Sequence, residues 1–152
     1  MPLEDPILAA SILVPLLMVK AWATFGFQGT MQRRAGKGVK EDWNRNDAPT
    51  AEDQETCDRW LRISQNDLEN LPFGIFAILF SAFATFSPFV SDGVRGFQIA
   101  CQVLYVCFRT AHTVVMALGI QPWRTVLYFL AQAMFVCMLL IIPIATFAAF
   151  RR

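Results

Sequence analysis

Histidine is nearly absent from this 152-residue chain, which has one, and the four cysteines include no Cys-x-x-Cys pair. Cys101, Cys107 and Cys137 fall in apolar stretches, and Cys101 and Cys107 do not face each other on a helix. With Cys57 they read as reduced, small apolar fillers, which excludes a disulfide framework or a cysteine-built metal site. A charge excess is also lacking: 13 Lys and Arg against 12 Asp and Glu leave a net charge of +1. The only sizeable polar connector, residues 35–56, mixes both signs, so a nucleic-acid-binding patch is excluded. Alternating apolar and polar positions are missing, which argues against a β-barrel. A basic leader is missing too. The stretch Met1-Pro2-Leu3-Glu4-Asp5-Pro6 is acidic, so the first apolar run is expected to remain as an anchor instead of being cleaved.

What is present is apolar surface. The chain is 55% hydrophobic and 13% aromatic, with a mean hydropathy of +0.43, too apolar for an ordinary soluble domain. Four continuous apolar runs cover residues 7–27, 71–89, 97–118 and 126–150. Each is near the roughly 20 residues that a helix needs to cross a 30 Å hydrocarbon core. The expected fold is all-α: an integral membrane four-helix bundle forming one domain over residues 1–152, with spans near 7–31, 58–89, 95–119 and 122–150 and a connector at 32–57. Asp58 and Arg59 are expected to open the second helix, and Pro122 to take the first position of the fourth. Arg33, Arg34, Lys37, Lys40, Arg45, Arg59 and Arg62 lie between the first two apolar runs and Arg124 between the last two, against Arg95, Arg151 and Arg152 on the other side. That bias places both connectors in the cytosol and both termini opposite, with Arg151 and Arg152 running against it.

The informative residues are the polar ones that interrupt these runs. At about 100° per residue, Arg59, Arg62, Asn66 and Glu69 fall within roughly 80° of one another. They form one polar stripe at the mouth of the second span. Two cations, an amide and a carboxylate on one face suit a small zwitterion carrying carboxylates and an amine; they equally suit an interfacial helix among lipid headgroups. Lys20 in the first span reads as one half of a structural ion pair. In the third span Arg109 and His112 are neighbours three residues apart. A mid-membrane arginine is costly to leave unpartnered, whereas a lone histidine is more often a hydrogen-bonded structural group. Arg124, Tyr128 and Gln132 continue at spacing four along the fourth helix.

These blocks in this order, Arg59-x-x-Arg62-x-x-x-Asn66-Asp67-x-Glu69, then Arg109-x-Ala111-His112-Thr113, then Arg124-Thr125-x-x-Tyr128, resemble the MAPEG family of membrane glutathione enzymes. The resemblance covers spans two to four, and span one only through Lys20 and its basic exit. It implies a homotrimer that binds glutathione between subunits near the cytosolic face, while a hydrophobic or lipid electrophile arrives from the bilayer. It further implies that Arg62, Asn66 and Glu69 hold the polar ends of glutathione, that His112 and Tyr128 line the site, and that Arg33 or Arg34 meets a carboxylate. Arg124 and Thr125 would then lie by the sulfur, with Tyr128 beside them, as the catalytic group.

The chain also departs from the family pattern. Gln65 replaces an arginine of the prostaglandin-synthase members, Met116 a tyrosine and Thr125 a serine, and one residue fewer separates Glu69 from Pro72. The expected activity is glutathione transfer, or peroxide reduction, on lipophilic electrophiles. Prostaglandin E synthase-type isomerisation and a non-catalytic lipid-binding scaffold are the alternatives within the family. A channel is disfavoured because the polar residues read as clustered at one end of the spans. The expected location is the endoplasmic reticulum membrane, or the inner membrane if the source is bacterial.

Overall fold

The computed structural model describes residues 5–37 and 48–150. In chain order they form α1 (Pro6–Arg34), α2 (Ala51–Thr85), α3 (Asp92–Leu118) and α4 (Trp123–Phe150), with no strand among the described residues. All four are long and apolar enough to cross a membrane. The all-α membrane bundle expected from the apolar runs is therefore the fold.

The helix ends follow local chemistry. Asp5 caps α1 by accepting from the Ile7 amide at 2.8 Å, ahead of Pro6 in the first turn. Helix α2 starts at Ala51, not at Asp58. Thr50 and Asp53 form a reciprocal capping box, each side chain accepting from the other's amide at 3.1 Å. The expected start followed the apolar run and passed over this pair. The α1 helix runs on through Arg33 and Arg34, so the connector expected at 32–57 is shorter. Its positions Gly38, Lys40, Asn44, Arg45, Asn46 and Asp47 lie outside the described residues. Pro122 also differs from expectation. Its carbonyl accepts from the amides of Thr125 at 3.0 Å and Val126 at 3.4 Å, so it caps α4 and Trp123 is the first helical residue.

Packing divides each helix into an inner and an outer face. Ala10, Leu13, Leu17, Ala21 and Thr24 line the buried side of α1 at spacings of three and four. They meet Leu71, Ala77 and Ile78 of α2, Cys101, Tyr105 and Val106 of α3, and Ala131 and Met138 of α4 in one core. The buried face of α2, from Ile63 and Asp67 through Leu71, Gly74, Ile78, Ser81 and Thr85, keeps one phase on both sides of Pro72. One glycine is needed there: a Cβ on Gly74 would occupy the space of the Tyr105 phenol.

The outward faces carry Leu16, Val19, Phe73, Phe76, Phe80, Phe83, Phe129, Leu140, Ile144 and Phe147, all exposed. Water would penalise that much contiguous apolar surface, whereas hydrocarbon is indifferent to it. The chain is an integral, multi-pass membrane protein.

Candidate functional site

Helix α2 carries two polar faces with different neighbours. Asp67 points inward and is buried. Its Oδ1 takes the Lys20 ammonium directly and lies 3.9 Å from the Arg109 guanidinium. Arg109 is itself 1% exposed and donates through Nη2 to the Asn66 carbonyl at 3.3 Å and to Asn66 Oδ1 at 3.1 Å. Among the described residues, Asp67 Oδ2 and Arg109 Nε and Nη1 are buried without a hydrogen-bond partner. Lys20 is the ion-pair half that the sequence led us to expect. Its carboxylate partner stood inside the quoted motif without a role, although its spacing of four from Ile63 and Leu71 marks it as an inward position.

The network continues into α4. Asn70 donates to the Asn66 carbonyl at 2.8 Å and accepts from Gln132 Nε2 at 2.8 Å. The His112 ring lies 6.0 Å from Tyr128, tilted by 52°. Asn66, Arg109, His112 and Tyr128 thus gather where α2, α3 and α4 meet.

A second group forms at the end of the bundle where α3 turns into α4. A cavity of about 160 Å³ there is lined by Glu55, Arg59 and Arg62 of α2, Val115 and Met116 of α3, the turn Gly119-Ile120-Gln121, and Arg124. Gly119 makes the turn possible. At φ 70° it ends α3, its amide bonding the Met116 carbonyl at 3.1 Å and the Ile120 amide bonding Val115. Arg59 ties α2 to this turn, donating to the Ala117 carbonyl at 3.3 Å and to Glu55 at 3.1 Å. Arg62 Nε donates to the Asp58 carbonyl at 3.2 Å. The Asp58 carboxylate meets Lys37 at 2.8 Å and, through that hydrogen bond, holds the ammonium above its ordinary pKa. Three guanidinium groups against one carboxylate leave the cavity lining with an excess of positive charge.

Of the residues expected to act, Arg62 and Arg124 share this cavity, while Asn66 joins Arg109 and His112 joins Tyr128. Glu69 and Thr125 are exposed, as are Arg33 and Arg34 in the last turn of α1. The Thr125 amide is spent on Pro122. Arg59, named in the stripe but given no ligand, proves to be a wall of the cavity.

One expectation needs correcting. Polar residues are not confined to one end of the spans. Gln98 and Gln102, which the sequence reading missed, are fully buried and donate to Ser81 Oγ and to the Ile78 carbonyl, each at 3.1 Å. Spacings of three and four put Gln98, Gln102, Tyr105, Arg109 and His112 on one face of α3. That pattern was the available signal. The seam is closed by packing against α2, so its polarity alone does not make a conduit.

Compared with known families, the chain matches the model of the MAPEG family over residues 7–144. No curated protein and no solved structure matches it.

Proposed function

Because the chain belongs to the MAPEG family, we propose that it is a glutathione-dependent enzyme that transfers the tripeptide to lipophilic electrophiles, or reduces lipophilic peroxides, by thiolate attack. The observation that carries this reading is the convergence of Arg59, Arg62 and Arg124 on one cavity at the start of α4. Glutathione brings two carboxylates and a thiol. Guanidinium groups hold carboxylates through paired hydrogen bonds, and positive potential favours the thiolate, which is the nucleophile. Arg124 supplies charge, and the amides of Trp123 and Arg124, which have no intrahelical acceptor, supply the positive end of the α4 dipole. Thr125, one residue along the same turn, adds a hydroxyl, and Tyr128 is placed to orient the incoming electrophile. The step balances simply: the thiol proton leaves to solvent, sulfur bonds to the electrophilic atom, and the leaving group departs with its electron pair.

A cavity of about 160 Å³ on one chain is small beside the roughly 300–1,000 Å³ of ordinary ligand pockets, so it would hold only part of the tripeptide. The remainder of the site is assigned to a neighbouring copy in a homotrimer, with Glu69, Asn66 and His112 on one side and Arg33 or Arg34 on the other. Transfer is favoured over prostaglandin isomerisation because Met116, in place of the synthase tyrosine, lines the cavity itself. The working membrane is taken to be the endoplasmic reticulum.

The test is ultraviolet absorbance of bound thiolate across pH, alongside turnover with a generic aromatic halide. Arg124→Ala is expected to raise the apparent pKa of the bound thiol and to cut turnover more than glutathione affinity. An unchanged titration removes Arg124 from the chemistry. A monodisperse monomer that still binds glutathione in mild detergent removes the shared site.

A further inference from the structure

Two thiols on different helices come together within the membrane spans. Cys101 of α3 is 1% exposed and belongs to the buried core. Cys137 of α4 packs against that core, is itself half-buried, and meets the Cys101 side chain with its own. Helices α3 and α4 are the most closely packed pair in the bundle, so the contact lies between elements already held side by side. The other two cysteines are placed differently. Cys107 is exposed, and six residues beyond Cys101 it lies about 120° away around α3. Cys57 is buried on α2. The sequence reading took all four as separate apolar fillers, because no spacing joins cysteines of different helices.

Thiols held in contact need only an oxidant to join, since the backbone has already brought them together. Burial orders their roles: Cys137 is the more accessible and Cys101 lies inside it. Both stand in helices apolar enough to cross a membrane, which favours an oxidant that dissolves in hydrocarbon over a charged one. We propose that Cys137 and Cys101 form a dithiol that reduces a lipophilic organic hydroperoxide and closes to a disulfide between α3 and α4. The Cys137 sulfur bonds to the terminal peroxide oxygen, the O–O bond breaks, and the alkoxide leaves as an alcohol with the thiol proton. The Cys101 sulfur then attacks the sulfenic acid on Cys137, forming the S–S bond and releasing water that carries the second thiol proton. Two thiols are oxidised and one hydroperoxide is reduced. The bond ties the helix of His112 to the helix of Arg124 and Tyr128. It is separate from the arginine cavity and stands whether or not that cavity binds glutathione.

The probe is cumene hydroperoxide, added to the full-length protein in mild detergent with glutathione omitted. Remaining thiols are then blocked with N-ethylmaleimide, and peptides are mapped by mass without reduction. Free thiols are expected to fall from four to two, with the Cys101 and Cys137 peptides joined within one chain, and dithiothreitol is expected to restore both. Cys101→Ala is expected to stop at a Cys137 sulfenic acid that dimedone traps, and Cys137→Ala to leave Cys101 unoxidised. Oxidised glutathione, which is charged, is expected to form little or none of the bond. Should either variant fail to fold, the wild-type map decides the matter. Four intact thiols overturn the proposal, as does a disulfide between any other pair or between chains. Oxidation of Cys137 without a bond to Cys101 also overturns it, and so does oxidised glutathione forming the bond as readily as the hydroperoxide. Failure to bind glutathione leaves these outcomes unaffected and counts only against the enzymatic reading.

Discussion

Replacing Asp67 with asparagine keeps the volume and removes the charge that Lys20 and Arg109 share. In the wild-type bundle Asp67 and Arg109 are each 1% exposed and the Lys20 side chain is 10% exposed. Asp67→Asn leaves two buried cations with an amide oxygen between them. Breaking a buried pair by removing one partner costs about 3–5 kcal/mol. For a chain of this length that lowers the midpoint of thermal unfolding by roughly 6–20 °C. Lys20→Met should cost less, because Asp67 then keeps Arg109 at 3.9 Å and the methionine stem refills the lysine's space. The double variant should cost less than the sum by about 0.5–3 kcal/mol, the coupling expected of residues in contact. The assay is the loss of monodisperse, helical protein on heating in one detergent at one pH, read for the wild type and three variants. An Asp67→Asn protein as stable as the wild type, or strict additivity in the double variant, would refute the claim that this carboxylate holds α1, α2 and α3 together.

Arg62→Ala and Glu69→Ala should each weaken glutathione binding about tenfold to a hundredfold, the loss of one charge-assisted contact, as read by calorimetry on the assembled protein; normal affinity in both makes the stripe only an interfacial helix. Gly74→Ala should lower stability by about 1–3 kcal/mol through overpacking against Tyr105, and the added loss of Tyr105→Phe in that background should be small. Arg59→Ala should loosen the α3–α4 turn and lower turnover while leaving helix content unchanged, since Arg59 bonds the Ala117 carbonyl; full activity removes it as a positioning residue. With the wild type, conjugation of a generic electrophile should exceed prostaglandin H2 isomerisation, and the reverse ranking reassigns the reaction.

Four apolar runs were legible because lipid demands about 20 apolar residues in each span, and the helices sit where the runs do. The helix starts were less legible, because a start is set by one or two side chains. Thr50 and Asp53 lie in a stretch that composition reads as connector, yet their reciprocal bonds begin α2 there. The site was legible as residue types in order and less so as partners. Periodicity told that Arg59, Arg62 and Glu69 share a face, but not that Arg59 closes against a carbonyl of α3. That contact depends on where the α3 turn ends, which Gly119 decides. Gln98 and Gln102 escaped notice because single glutamines in an apolar run look like noise until α3 is turned and both face Ser81 and Ile78.

Asp67 and Glu69 stand two residues apart, which on a helix is about 200° of rotation. That offset assigns two acidic residues of one motif to different tasks. Asp67 is buried and compensates cations from α1 and α3; Glu69 is exposed on the single chain. Asn66 lies between the two faces, with its side chain accepting from Arg109. A one-residue shift in α2 is about 100° of rotation, enough to turn Asp67 away from Lys20 and bring Asn66 or Leu68 into its place. The phase of the buried face from Ile63 to Thr85 is therefore what keeps the Asp67 charge inside and the Glu69 charge outside, and the continuity of α2 through Pro72 preserves it.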